Sequence, residues 1–132
     1  NSTEFNKDTS YPVIDLMSSQ KNIEHKGASM RLGAYSCNLI DNTYAYNAYK
    51  ENLISERHRH RYEFNNQYRE KLEESGLTIS GVNKKLDLVE IIEYKDHNWF
   101  VGVQFHPELK SRIVKVHPLF KDFISATIKY KS

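Results

Sequence analysis

Two apolar, strand-forming segments joined by a short polar turn constrain the fold of this chain most strongly. The first covers residues 86–94, and the second begins at Trp99 and ends abruptly at Pro107. The residues between them, 95–98 (Lys-Asp-His-Asn), predict a hairpin, which makes the two strands antiparallel. Proline lacks a backbone donor and fixes φ, so the second strand must end there. The sheet is therefore not expected to be purely parallel.

Alternation, cap signals and turn residues predict further elements along the chain. Strands are expected over 11–17, 30–39 (interrupted at Gly33), 55–64 and 77–81, helices over 43–52, 65–75 and 118–130, and a loop over 18–29. Gly76 supplies the stop of the second helix, and Pro118 opens the last one. That last helix is expected to bury Leu119, Phe120, Phe123, Ile124 and Ile128. The sequence therefore predicts an α/β fold, a mixed sheet with flanking helices.

Composition excludes several classes of protein. The chain has 132 residues, enough for one domain with a core, and its 12% aromatic content does not fit a disordered chain. A net charge of +2 gives no basis for binding nucleic acid or a membrane surface, and no stretch approaches a membrane span. Cys37 is the single cysteine, so an internal disulfide is impossible and a reducing compartment is expected.

The end of the second apolar segment carries candidate catalytic chemistry. His106 and Glu108 flank Pro107, and residues two apart in extended backbone project to the same side. A carboxylate beside an imidazole sets its tautomer and stabilises its protonated form, which leaves the other ring nitrogen free to act as a base. The alternative is a strand end with an incidental histidine, because His-Pro-Glu is a short motif.

A charged tract over residues 56–63 reads Glu-Arg-His-Arg-His-Arg-Tyr-Glu. In extended backbone it places Arg57, Arg59 and Arg61 on one face and His58, His60 and Tyr62 on the other. Guanidinium groups on one face can bind a carboxylate or phosphate through paired hydrogen bonds. The alternative is a solvated edge strand that its charges protect from association. A nucleic-acid surface is weaker still, because the tract is short and acidic residues flank it.

Two other site chemistries are less consistent with the sequence. A zinc site would use five histidines: His58, His60, His97, His106 and His117. However, His-X-His without paired cysteines is a poor zinc signature, so no metal is expected. Cys37 is a possible nucleophile, yet it lacks the small flanking residues that an exposed nucleophile turn requires. A buried structural thiol is the preferred interpretation. The chain thus holds a candidate base without its nucleophile.

Four segments together resemble one family. Residues 1–5 (Asn-Ser-Thr-Glu-Phe), 30–34 (Met-Arg-Leu-Gly-Ala), 56–63 and 102–108 (Gly-Val-Gln-Phe-His-Pro-Glu) resemble the C-terminal part of the class I glutamine amidotransferase domain of the CTP synthase family. The resemblance extends over essentially the whole chain. It implies a flavodoxin-like α/β domain of which residues 1–132 form the C-terminal portion.

The resemblance also implies a reaction and roles for named residues. The family makes CTP from UTP, ATP and glutamine with Mg²⁺, in pyrimidine biosynthesis, and passes ammonia from the amidotransferase site to a synthetase domain. His106 matches the histidine of the catalytic triad and Glu108 the carboxylate that orients it. Glu4 and Arg61 match residues that bind L-glutamine. A free amino acid carries an ammonium and a carboxylate, and one protein group of opposite charge for each of them would fix its orientation.

The same resemblance sets expectations for the rest of the protein. The glycine-flanked cysteine of the family is not found in this sequence, so the nucleophile is expected upstream of Asn1 and the chain alone is expected to be inactive. ATP and Mg²⁺ belong to the synthetase domain, and no cofactor is expected in this chain. A cytoplasmic homo-oligomer, a tetramer, is implied. Two alternatives remain open: a stand-alone γ-glutamyl hydrolase of the same superfamily, and a non-catalytic amidotransferase-like binding module.

Overall fold

Alternation of apolar and polar side chains produces most of the strands in the computed structural model, which describes residues 1–16 and 30–131. The elements in this part of the chain are, in order, β1 (Ile14–Leu16), β2 (Arg31–Leu39), α1 (Tyr44–Tyr49), β3 (Leu53–His60), β4 (Tyr62–Phe64), α2 (Arg69–Glu74), β5 (Leu77–Asn83), β6 (Leu88–Tyr94), β7 (Val101–Val103) and α3 (Pro118–Lys131). Short 3-10 turns cover Asn66–Tyr68 and Pro107–Leu109. The loop predicted over 18–29 and the last residue of the strand predicted over 11–17 lie outside the described residues.

The strands form two sheets, and the predicted α/β class is confirmed. One sheet has the order β3-β2-β5-β6-β7, and the other pairs β1 with β4. Neighbouring strands in both sheets are antiparallel, while Ser2 and Ile14 form a parallel bridge beside β1. The hairpin predicted between β6 and β7 is present. Antiparallel ladders therefore dominate the described part of the fold.

Local signals in the sequence explain where the helices begin and end. The Thr43 hydroxyl accepts a hydrogen bond from the backbone N–H of Tyr46 at 3.1 Å, which caps α1. The Asn65 side chain caps the 3-10 turn that leads into α2. Gly76 follows α2 with φ of 99°, as its predicted role as a helix stop requires.

Two strand predictions need correction. Gly33 does not interrupt β2, because glycine adopts φ of 98° there while the strand stays paired with β3. The strand predicted over 55–64 is divided at Arg61, since β3 pairs with β2 and β4 pairs with β1 in the other sheet. A change of sheet requires a bend, and Arg61 occupies it.

The main core lies where β2, β3 and β6 meet the first and last helices. Its buried members are Cys37, Leu39, Ala45, Ile54, Ile91, Phe105 and Leu119. Gly81 makes this packing possible, because a Cβ atom at that position would lie 2.8 Å from the Cys37 sulfur and 2.6 Å from a carbon of Ile91. Close packing of this kind leaves no room for a larger side chain.

The last helix is less buried than its sequence predicts. Leu119 is 4% exposed, but Phe123, Ile124 and Ile128 are 49%, 55% and 63% exposed. The prediction that α3 buries its apolar face is therefore confirmed for Leu119 and wrong for Phe120, Phe123, Ile124 and Ile128. The helix contacts α1 and the Trp99 ring along a narrow strip, so most of its apolar face remains in solvent. No helix in residues 1–16 and 30–131 is long and apolar enough to cross a membrane.

A buried ion network connects the two sheets. The Arg31 guanidinium on β2 lies 3.2 Å from Glu63 on β4 and 2.7 Å from Glu90 on β6. Gln104 donates a further hydrogen bond to Glu63 at 3.0 Å. Burial raises the pKa of Glu63 to about 7, although Arg31 opposes the shift. Two carboxyl groups thus share one guanidinium, and Glu63 retains a proton more readily than an exposed glutamate.

We expect Glu63→Gln to change the pH dependence of stability. Glutamate in the unfolded chain loses its proton near pH 4.5, whereas folded Glu63 keeps it to about pH 7, so the contribution of this group to stability falls as the pH rises through that interval. Relative to the parent protein, Glu63→Gln should gain on the order of 2 kcal/mol of unfolding free energy between pH 5 and pH 8.

Urea denaturation at several pH values measures this difference. Glu73→Gln, at an exposed position of α2, is the matched control and should show no such trend. Parallel stability profiles for the parent and the Glu63→Gln variant would contradict the prediction.

Candidate active site

The His-Pro-Glu segment forms a tight turn after β7. Phe105 is buried in the core, and Pro107 begins the 3-10 turn Pro107–Leu109. The backbone N–H of His106 donates to the Arg57 carbonyl of β3 at 2.9 Å. The turn is therefore anchored by a buried ring on one side and by a strand edge on the other.

The structure brings His106 and Glu108 together. His106 Nδ1 lies 2.7 Å from Glu108 Oε1, and both side chains are accessible to solvent. The hydrogen bond from His106 is the main reason that the pKa of Glu108 lies below its ordinary value. A carboxylate accepts at Nδ1, so Nδ1 carries the proton and Nε2 presents a lone pair. Within the described residues, no group hydrogen-bonds that Nε2 atom.

Arg61 lies at the bend between β3 and β4. Its side chain is half-buried, and its Nε atom is buried without a hydrogen-bond partner among the described residues. An unsatisfied buried donor is costly unless another group pairs with it. The Arg61 guanidinium therefore has one buried donor that the described residues leave unpaired.

The other residues of the basic tract lie on two opposite faces of β3, as alternation predicts. Arg57 and Arg59 are exposed on one face of β3, while His58 is buried on the other. The bend moves Arg61 out of this strand, so the three arginines do not form one continuous strand face. His60 Nε2 lies 2.8 Å from His58 Nδ1, and burial lowers the pKa of these two imidazoles to about 4 and about 3 respectively. In the described ranges, no three potential metal ligands are grouped to hold an ion.

Glu4 lies in an exposed turn beside the small sheet. Ser2 bridges Ile14 in parallel, and the chain then turns at residues 3–5, where the Glu4 backbone N–H donates to the Ser2 hydroxyl at 3.2 Å. Leu16 pairs with Tyr62, the residue that follows Arg61. Thr3, next to Glu4 in sequence, lines one cavity with Leu16 and Tyr62, whereas no hydrogen bond or ion pair joins Glu4 to Arg61 among the described residues.

Cys37 is a buried structural thiol, as the sequence interpretation predicted. Its exposed fraction is 0%, and burial raises the pKa of the thiol to about 12. A thiol that remains protonated at neutral pH and has no access to solvent cannot serve as a nucleophile.

Sequence reasoning missed a second buried cluster, which lies beside the turn. It joins Glu56 to Tyr49, Lys110 and His117. The alternation of β3 was the available signal, because it places Glu56 on the same face as the buried His58. The contact between Glu56 and His117 could not be predicted, because the two residues are far apart in sequence and no periodic pattern connects them.

Comparisons with known proteins identify close relatives. The chain is 60% identical over 131 residues to the CTP synthase of Chlorobium phaeobacteroides, an alignment that covers 99% of the chain and 23% of that relative. It is 60% identical over 130 residues to the CTP synthase of Clostridium kluyveri, covering 98% of the chain and 24% of the relative. The chain thus spans about a quarter of the length of these curated relatives.

A solved structure shares the fold. The glutaminase domain of Trypanosoma brucei CTPS with bound acivicin matches with a TM-score of 0.87 and 36% identity, covering 98% of this chain and 50% of that one. The profile described as "Glutamine amidotransferase class-I" matches residues 4–126. The match extends over most of the chain and includes the turn that holds His106 and Glu108. The chain therefore belongs to the class-I glutamine amidotransferase family.

Proposed function

We propose that residues 1–132 form the C-terminal portion of the glutamine-hydrolysing domain of a CTP synthase, with His106 as general base and Glu108 as its orienting partner. The observation that carries this proposal is the 2.7 Å contact between His106 Nδ1 and Glu108 Oε1, beside an Nε2 atom that no described residue binds. The identity to CTP synthases over 98–99% of the chain favours this activity over a stand-alone γ-glutamyl hydrolase.

In the proposed reaction, the nucleophile is a cysteine outside this chain. His106 Nε2 accepts the thiol proton, and the thiolate attacks the side-chain amide carbon of glutamine. The protonated imidazole then donates this proton to the departing nitrogen, which releases ammonia and leaves a glutamyl thioester. Water hydrolyses the thioester with His106 again as base. Glu108 holds the ring in position and stabilises its positive charge at each stage.

The glutamine itself is proposed to bind between Arg61 and Glu4. The Arg61 guanidinium would pair with the α-carboxylate, and the Glu4 carboxylate would pair with the α-ammonium. The neighbours of these residues in sequence, Thr3 and Tyr62, line one cavity beside the small sheet, which supports this arrangement. Two charge pairs at one end of the substrate fix which way its amide points.

The remaining proposals concern the whole protein. Ammonia would pass to a synthetase domain that uses UTP, ATP and Mg²⁺, and the enzyme would be a cytoplasmic homo-oligomer. The length of the relatives, about four times that of this chain, leaves room for such a domain. Because Cys37 is buried and protonated, we expect this chain alone to lack glutaminase activity.

We expect His106→Ala in the full-length enzyme to abolish CTP formation from glutamine, by ~10³-fold or more, and to spare CTP formation from ammonium chloride. The reason is that the base is needed only to release ammonia. Initial rates of CTP formation with each nitrogen source measure the effect.

His97→Ala is the matched control, because this exposed histidine lies in the hairpin that precedes β7. It should leave both rates unchanged. If His106→Ala lost both activities equally, the assignment of this histidine to glutamine hydrolysis would be wrong.

We expect Arg61→Ala to raise the KM for glutamine ~10- to 100-fold with a smaller change in kcat, because it removes binding shared by the ground and transition states. Arg59→Ala, on the exposed face of β3, is the control. Steady-state glutaminase kinetics distinguish the two variants. An unchanged KM in Arg61→Ala would remove the arginine from the glutamine site.

A further inference from the structure

Strand β3 is attached to the segment around the His-Pro-Glu turn at three consecutive residues. The Ser55 carbonyl accepts from Lys110 Nζ, the Glu56 carboxylate lies next along the strand, and the Arg57 carbonyl accepts from the backbone of His106. Lys110 directly follows the turn, and His106 directly precedes it. The strand thus contacts the turn on both sides.

Glu56 provides the central attachment. Its side chain is 1% exposed, and Oε1 accepts hydrogen bonds from Tyr49 Oη at 3.0 Å, His117 Nε2 at 3.1 Å and Lys110 Nζ at 3.2 Å. The three donors come from three different segments: helix α1, the end of the turn, and the residue before α3. One carboxylate oxygen therefore joins these three segments to β3.

The protonation states within this cluster are consistent with these bonds. The backbone N–H of Leu119 donates to His117 Nδ1 at 3.3 Å, so Nε2 carries the proton that faces Glu56. Burial by itself would raise the pKa of Glu56, but the contacts with His117, Lys110 and Tyr49 outweigh burial and lower it. Burial and the Glu56 charge raise the pKa of Tyr49, which stays a hydrogen-bond donor.

Stability alone does not explain a carboxylate at this position. Glu56 Oε2 is buried and has no partner among the described residues. Burying a charge is expensive, and an apolar side chain of similar size often gives equal or greater stability. What an apolar side chain cannot do is fix Lys110 and His117 at defined distances from β3. The geometry of the cluster is therefore its distinctive property.

We propose that Glu56 is a positioning residue of the glutaminase site, a role that rests on the function proposed above. It holds Lys110 and His117 against β3, so that the turn that ends at Lys110 keeps His106 Nδ1 at 2.7 Å from Glu108 Oε1. Because Arg61 lies at the bend directly after β3, Glu56 also influences the distance from the proposed base to the proposed glutamine anchor. Active sites require such placement within about 0.5 Å.

The test uses the full-length enzyme and compares glutamine and ammonium chloride as nitrogen sources. Glu56→Ala should lower the glutamine-dependent kcat ~100-fold, since a misplacement of about 1 Å costs roughly that factor, and change the glutamine KM less than ~3-fold. CTP formation from ammonia should stay unchanged. Glu56→Gln, which keeps one acceptor oxygen, should recover most of the lost kcat. Glu51→Gln, exposed and just before β3, is the control.

A further readout separates positioning from general weakening of the fold. If Glu56 acts through the His106–Glu108 pair, Glu56→Ala should move the acidic limb of the kcat/KM profile in the same direction as Glu108→Gln does. The double variant should then lose much less than the product of the two single effects. Fully multiplicative losses, or a parallel fall in the ammonia-dependent rate, would overturn the proposal.

A second variant covers the case in which Glu56 variants do not fold. Lys110 is partly exposed, so Lys110→Met removes one of the three donors without burying a new polar group. It should lower the glutamine-dependent kcat ~3- to 10-fold at constant KM. An unchanged kcat would overturn the positioning role. Failure of the proposed function would look different, because His106→Ala would then leave the glutamine-dependent rate intact.

Discussion

The backbone edge of β3 is the constraint on which the candidate site depends. β3 is the outermost strand of the larger sheet, and it pairs with β2 on one side. On its other side, the carbonyls of Ser55 and Arg57 accept from Lys110 and His106. An unpaired strand edge is a liability in most proteins. Here the edge serves as the surface against which the His106–Glu108 turn packs, so one strand both completes the sheet and positions the proposed base.

The sequence predicted features that depend on local patterns. The β6–β7 hairpin, the Gly76 helix stop, the buried thiol of Cys37 and the contact of His106 with Glu108 all follow from residues close in sequence or from one alternating strand. The division of the predicted strand at Arg61 could not be predicted in this way. The alternation of side chains continues through the bend and does not show that the chain passes from one sheet to the other. The Arg31–Glu63–Glu90 network was also missed, since its members come from three separate strands.

The exposed face of α3 was mispredicted for a related reason. Amphipathic spacing shows that a face is apolar, but it does not say which segment covers it. The chain covers half of the matched glutaminase domain, and Phe123, Ile124 and Ile128 remain exposed in the described structure. The site shows a similar division. The proposed base, its orienting carboxylate and both proposed glutamine anchors lie in this chain, whereas the proposed nucleophile does not.

The bend at Arg61 has a mechanical consequence. The arginine lies where the chain passes from one sheet to the other, and the buried Arg31 network ties those sheets together a short distance away. Because Arg61 is joined to β3 on one side and to β4 on the other, any displacement of this residue acts on both sheets rather than on a single strand.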